Sequence, residues 1–472
     1  MRARATARVR RAWGWGPTQF KRVRAAIGLG LTATVLLTWP FSAQSRPLDP
    51  AALAADVRTE FDHAWNSYKR IAWGHDEVRP VSRAARDWYE GATLYMTAID
   101  SLDALYMLGM TREADATKTY LIDHLSFDRD ISVSNFEITI RILGGLLSAH
   151  QIGGDPKLLQ MAADLGARLL PAFNSPTGMP YRFVNLKTGA TSGAVSNPAE
   201  IGTLILEFGT LSRLTKQPVY FDRAKKALVS LYQRRSKETG LVGEAINVET
   251  GEWADRSSHV GGAIDSYYEY LLKCSRLLGD ADCEQMWRTS IDAVNKYVAD
   301  DRPDGLWYGV VDMNTGQRTA TTYGSLQAFF PAVLAMGGDL ARARRLQESG
   351  FRMWTLHGIE PEAIDYREMR VVSAGYQLRP EIAESAYYLF HYTKDPRYQE
   401  MGRTILEDLK KYCRTDDGYT VLRDVVSKEK GDRQHSFFLA ETLKYLYLLF
   451  SADALDFDRV VFNTEAHPLR RP

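Results

Sequence analysis

Glu137, Glu200, Asp265, Ser325, Glu381 and Glu441 each open an apolar, aromatic-rich stretch of helical period, at successive steps of 63, 65, 60, 56 and 60 residues. A seventh element of the same kind, Thr97-Ala98-Ile99-Asp100-Ser101-Leu102-Asp103, precedes them at a shorter interval. Carboxylates delivered from separate elements to one place suit a particular chemistry. One acid can protonate a leaving oxygen while another activates water, as glycoside hydrolysis requires. Such a cluster repels itself unless protons, arginines or a bound cation offset the charge. Arg141 and Arg379 are the arginine candidates. With oxygen donors and no Cys or His cluster, the favoured cation is a hard one, calcium before magnesium in a roomy site.

Each residue also has a plainer reading. Glu137 and Arg141, four apart, share a helix face and would make an ordinary buried ion pair. Asp265 is a good helix N-cap before Ser266-Tyr267-Tyr268-Glu269. Pro380 suits a first helical turn, which sets Glu381 and Glu384 near a helix N-terminus, where negative charge is favoured. Phe437 and Glu441 repeat the four-residue spacing, with a ring beside a carboxylate. The recurrence of acids at equivalent places favours the chemical reading over six separate structural ones.

A unit near sixty residues fits two antiparallel helices plus loops, so seven such hairpins would close into a ring presenting carboxylates at one end. Helix stops recur, as in Leu277-Leu278-Gly279-Asp280, and Gly/Pro/Asn segments between hairpins read as turns or irregular loops on a rim. A lead-in over residues 46–85 holds an amphipathic helix from about Ala51 to Trp73, and the barrel proper is expected over 86–472. The apolar run Val460-Val461-Phe462 at the chain's end is expected to plug the ring. Gly144-Gly145 falls inside a helix pattern, so no Gly-rich phosphate loop is present.

Composition is that of a globular protein, 45% hydrophobic and 25% charged, with 24 Tyr and 10 Trp. The first 45 residues hold eight Lys/Arg and no acid, leaving 51 basic against 58 acidic residues in the body. An acidic body is a poor partner for nucleic acid. The basic leader, the apolar run Ala25–Leu37 and Ala43-Gln44-Ser45 form the layout of a secretory signal. The expected location is therefore periplasmic or secreted; an uncleaved anchor is the alternative, and only then would a membrane be a partner. Cys274 and Cys283 are placed to pair, or all three cysteines, Cys413 included, are buried thiols.

Six stretches in order resemble the signatures of class I α-1,2-mannosidases, glycoside hydrolase family 47. They are Asp100–Tyr106, Phe136–Leu147, Asp265–Leu271, Leu378–Glu381, Phe437–Tyr445 and Phe462–Pro468. The resemblance runs from about residue 85 to 470. It implies an all-α fold, an (α/α)7 barrel of helical hairpins with a C-terminal β-hairpin plug, and calcium at the barrel base. Thr464 would touch the metal directly, with Glu200, Glu384, Glu441 and Glu465 acting through water. Glu137 would be the general acid, relayed through a water, Glu381 the base, and Asp265 the third catalytic carboxylate, in an inverting reaction. Phe437 would stack under terminal mannose, and Arg141, Glu362 and Arg379 would shape its subsite. The implied substrate is a manno-oligosaccharide or N-glycan ending in α-1,2-linked mannose, cleaved by a monomer. The alternative is a mannose-glycan-binding, lectin-like member of the same fold with weak catalysis. Ala263 stands where the processing enzymes carry Arg, and Ala328 where they carry a paired cysteine; both resemble the branch that disposes of misfolded glycoproteins.

Overall fold

The structure, a computed structural model, describes residues 47–472. The expected leader lies outside the described residues.

Among the described residues the helices alternate between two layers. The inner layer is built from Met96–Asp100 with Leu102–Met107, Asn135–Ile138 through Gly144–Gly153, Pro198–Gly202 with Ile205–Thr215, Asp265–Leu278, Phe330–Met336, Glu381–Thr393 and Lys444–Phe450. The outer layer is Pro50–Ile71, Thr111–His124, Pro156–Leu169, Val219–Gln233, Ala281–Tyr297, Leu340–Thr355 and Arg397–Tyr412. Each inner helix packs on the next, and the last returns to the first, closing a ring of seven hairpins. This is the all-α (α/α)7 barrel that the sixty-residue period anticipates.

The two layers differ as their surroundings demand. Outer helices are amphipathic; in Arg397–Tyr412 the residues Tyr398, Met401, Ile405, Leu406 and Leu409 face inward. Inner helices are apolar almost all round, and Ser266 to Cys274 form an unbroken buried run. Side chains and glycine set their ends. Asp155 accepts from the Lys157 N–H and Asp280 from the Cys283 N–H at two starts, while Gly154 and Gly279 take left-handed conformations at two stops.

The first helix, in the segment read as a lead-in, lies against Lys444–Phe450 as its outer partner. It buries Phe61, Trp65 and Tyr68, and Glu60 takes hydrogen bonds from Arg414 (2.8 Å) and Tyr419 (2.7 Å). Cys274 and Cys283 are joined by a disulfide that ties an inner helix to its outer partner, and Cys413 is a buried thiol.

Of the two readings of the rim segments, hairpin turns rather than irregular loops hold, as at residues 312–316 between two paired strands. The rim carries short antiparallel sheets, such as Ser132–Ser134, Phe183–Asn185 and Thr191–Ser192 in one, and Val195–Ser196, Ala245–Asn247 and Trp253–Asp255 in another. Strands of two to four residues are too short to display alternation in sequence. They matter because they lead into inner helices: Ser134 and Ser196 end strands just before the helices of Glu137 and Glu200.

The tail forms the expected plug. Val460–Phe462 pairs with Pro468–Arg470, and the turn between them enters the ring axis. Asn463 donates to the Ile140 carbonyl (2.7 Å) and to Glu207 (2.8 Å), while its Oδ1 accepts from the Glu465 and His467 N–H groups. Gly144 and Gly145 make room for it. A Cβ at Gly144 would lie 2.6 Å from the Asn463 amide nitrogen, and one at Gly145 would lie 3.3 Å from the His467 ring. Beneath the turn, fully buried Asp103 pairs with Lys444 at 2.6 Å and His467 at 2.7 Å. Burial would raise the Asp103 carboxyl, but the two cations outweigh it and hold it at about 2. Lys444→Met is therefore expected to destabilise the fold by about 3–5 kcal/mol, read from denaturant melts, because it removes one of the two cations that offset a fully buried carboxylate.

Candidate active site

At the open end of the ring, opposite the base of the plug, lies a cavity of about 310 Å³. Its walls include Glu137, Arg141, Glu200, Asp265, Arg379, Glu381, Glu384, Phe437, Glu441, Thr464 and Glu465. Every predicted site residue except Glu362 lines it. Glu362 stands behind, holding Arg379 by two contacts, 3.2 Å to Nε and 2.9 Å to Nη2. Here it orients a guanidinium and lines a smaller adjoining pocket.

Local structure aims these side chains. Ser134 caps the Glu137 helix and Asn197 the Glu200 helix, each accepting from the carboxylate residue's own N–H. Asp265 and Glu381 begin their helices, and Asp265 accepts from the Ser266 N–H at 2.8 Å. The residues just before these starts are strained. Tyr95, Ala263, Leu378 and Ala466 all have positive φ (55°, 75°, 63° and 56°) without being glycine, and each precedes or lies within a segment that carries a site residue or a plug contact. Two inner helices also widen by a π turn, over Thr139–Leu143 and Phe438–Leu443. Arg141 and Glu441 sit in these turns. Such bulges are frequent at functional sites because they re-aim side chains without ending the helix.

Charge dominates the pocket. Eight carboxyl groups line it, from Glu137, Glu200, Asp265, Glu269, Glu381, Glu384, Glu441 and Glu465, against two guanidinium groups, Arg141 and Arg379. Arg141 binds Glu137 at 2.8 Å and Glu465 at 2.5 Å, joining a helix to a plug residue 324 positions away. Arg182 makes two bonds to Glu200, at 2.7 and 2.8 Å. Glu269 is paired with Lys273. Burial nonetheless outweighs the nearby cations at several of the eight. Burial pushes Glu381 up to about 7, against the pull of Arg379, and raises Asp265 to about 6. Burial raises Glu465 to about 7 even though Arg141 opposes it. Glu384 and Glu441 are driven well above the carboxylate range by burial and then by neighbouring acids, though Lys273 opposes this at Glu384 and Arg141 at Glu441. Glu381 Oε2 is buried with no hydrogen-bond partner.

Phe437 lies near both arginines, whose guanidinium carbons are 5.7 Å (Arg141) and 5.9 Å (Arg379) from its ring centroid, and His435 stacks on it at 4.7 Å. An apolar ring flanked by donors and acids is what one pyranose needs: a C–H face to stack on and hydroxyls to bind.

The donor set fits a hard divalent cation. Several carboxylates, among them Glu381 with an unpartnered buried oxygen, line the same cavity as Thr464 and outnumber the two arginines there. Among the described residues, the one tight Cys/Asp group, Cys274, Asp280 and Cys283, has both sulfurs in the disulfide.

Sequence reasoning missed Glu269, Phe136, Asn197 and Phe329 as lining residues. Glu269 was within reach of the four-residue rule, since it follows Asp265 on the same face. Asn197 was legible only as a cap, and the other two only as aromatic residues near the motifs.

Comparison with known proteins gives a consistent picture. The family description "Glycosyl hydrolase family 47" matches residues 60–471. Alpha-mannosidase I MNS5 of Arabidopsis thaliana is 38% identical over 444 residues, covering 88% of this chain and 76% of that protein. Human mannosyl-oligosaccharide 1,2-alpha-mannosidase IB is 36% identical, covering 88% of this chain and 69% of its own. The solved structure of an α-1,2-mannosidase from Trichoderma reesei superposes with a TM-score of 0.82 at 30% identity, covering 89% of this chain and 99% of the other.

Proposed function

The chain belongs to glycosyl hydrolase family 47 and is a glycoside hydrolase, and from that premise we propose that it is an exported, calcium-dependent, inverting exo-α-1,2-mannosidase. Its substrates are oligosaccharides or N-glycans that end in α-1,2-linked mannose. The single observation that supports the reading is the cavity of about 310 Å³ that Glu137, Asp265, Glu381 and Phe437 line together.

The terminal mannose stacks on Phe437, with its ring oriented by Arg141 and by Arg379, which Glu362 holds in place. Glu381 takes the proton of the attacking water. A carboxylate whose pKa is near 7 is well matched to that task near neutral pH. Glu137, held by Arg141, delivers a proton to the glycosidic oxygen through a water. Asp265, raised to about 6 by burial, shares the same cavity and supports charge development at the reacting carbon. Calcium, when bound, neutralises the surplus carboxylates and fixes water and sugar hydroxyls; Thr464 would hold it directly, with Glu200, Glu384, Glu441 and Glu465 around it.

Incubation with α-1,2-mannobiose and proton NMR of the first product is expected to show β-mannose. An initial α anomer would reject inversion, and tight binding with no release would favour the lectin reading. Export rests on the leader motif; among the described residues no helix is long and apolar enough to cross a membrane.

A further inference from the structure

A single-sugar cavity does not account for the rim beside it. The strand Phe183–Asn185 pairs with Ser132–Ser134, and Phe183 lies opposite Ser134, the residue that caps the Glu137 helix. Phe183 is 37% exposed, unusual for a ring in a protein whose aromatic residues are otherwise mostly buried. Its neighbour Arg182 is bound through Nε and Nη2 to Glu200 in the cavity wall, and its guanidinium carbon lies 5.5 Å from the Phe183 ring centroid. The Arg182 side chain is 41% exposed, so part of its fork faces outward. Gly193, at φ +79°, brings bare backbone under the ring edge; a Cβ there would sit 3.0 Å from Phe183 Cδ2. The ring is thus held in place at the surface.

Direction matters as much as placement. If Glu137 protonates the leaving oxygen, the remaining sugars exit on the Glu137 side of the cavity. Phe136, Glu137, Asn197 and Glu200 line that part of the cavity, and Arg182, bonded to Glu200 at 2.8 Å, stands next to it with Phe183 as its neighbour. A part-exposed aromatic ring beside a part-exposed guanidinium donor is a fit for a pyranose ring and its hydroxyls.

We propose that Phe183, with Arg182, forms an outer sugar subsite that binds the leaving-group portion of an oligosaccharide beyond the first sugar. The inference rests on the mannosidase reading and on Glu137 as the acid. It makes the enzyme selective for longer chains over disaccharides.

The test compares kcat/KM for α-1,2-linked mannotetraose with that for α-1,2-mannobiose, in native protein, Phe183→Ala and Phe183→Trp. Phe183→Ala is expected to lower the tetraose-to-biose ratio by about tenfold, carried by KM, with Phe183→Trp restoring it. An unchanged ratio in Phe183→Ala, or an equal loss on both substrates, would overturn the subsite. If native protein released mannose from neither sugar, the mannosidase reading itself would fail, a result distinct from loss of the subsite.

Discussion

Glu381→Gln is expected to lower kcat on α-1,2-mannobiose by about 10²–10⁴-fold while leaving substrate binding within a fewfold. Gln keeps the shape and most of the hydrogen-bonding capacity of Glu but cannot take a proton. Glu381 is buried, opens its helix, and has its pKa at about 7, so near neutral pH it sits poised between its two forms. Calorimetric titration with the disaccharide and a thermal melt would separate lost chemistry from lost folding. A near-normal kcat would remove Glu381 from the role of base. In native protein the activity should rise with pH through about 7 as this group ionises.

The second large effect is on stability in the absence of calcium. Burial lifts Asp265, Glu381 and Glu465 to about 6, 7 and 7, and burial raises Glu384 and Glu441 well above the usual carboxylate range. Each is raised, so the native state keeps its protons longer than the unfolded chain does. As pH climbs past about 4, the unfolded chain ionises first and folding loses stability until the folded pKa is passed. For Glu381 alone that is about 3 kcal/mol between pH 4.5 and 7.5. Native protein in chelator should therefore melt lower at pH 8 than at pH 5. Calcium at a hundred times its Kd should recover about 2.7 kcal/mol at pH 8. At pH 5, where the same carboxyls hold protons, it should add little. The difference between the two calcium responses isolates this cavity from titrations elsewhere, such as that of His467. Chelation should also abolish turnover, and Thr464→Ala should shift the calcium requirement upward. Equal melting in calcium and chelator at pH 8, with full activity in both, would discard the metal.

Some of this architecture was readable residue by residue. The recurrence of acids every sixty positions anticipated seven hairpins, because an inner helix must start at the same end of the ring each time. The four-residue spacing of Glu137 and Arg141 anticipated their 2.8 Å contact. Other features left no mark. The π turns at Arg141 and Glu441 change one hydrogen-bond ring size and are not signalled by any residue pattern. The rim sheets are too short to alternate. Glu362 was legible as a residue that shapes the sugar subsite, but not that it stands behind Arg379 and holds its guanidinium at 2.9 Å.

What this chain's residue order determined by itself was the set of chemical groups and their local facing: carboxylates at helix starts, Arg141 one turn after Glu137 and Arg379 just before Glu381, an apolar tail, and glycines where something must approach closely. Only tertiary structure decided which of those groups meet. Arg141 reaches Glu465 across 324 positions, and Asn463 reaches Ile140 across 323, because the ring closes around the tail. The physical reason is that a carboxylate's proton affinity depends on burial and on the distance to other charges. Both are set by packing between helices far apart in sequence, and neither is a property of the residues next to it.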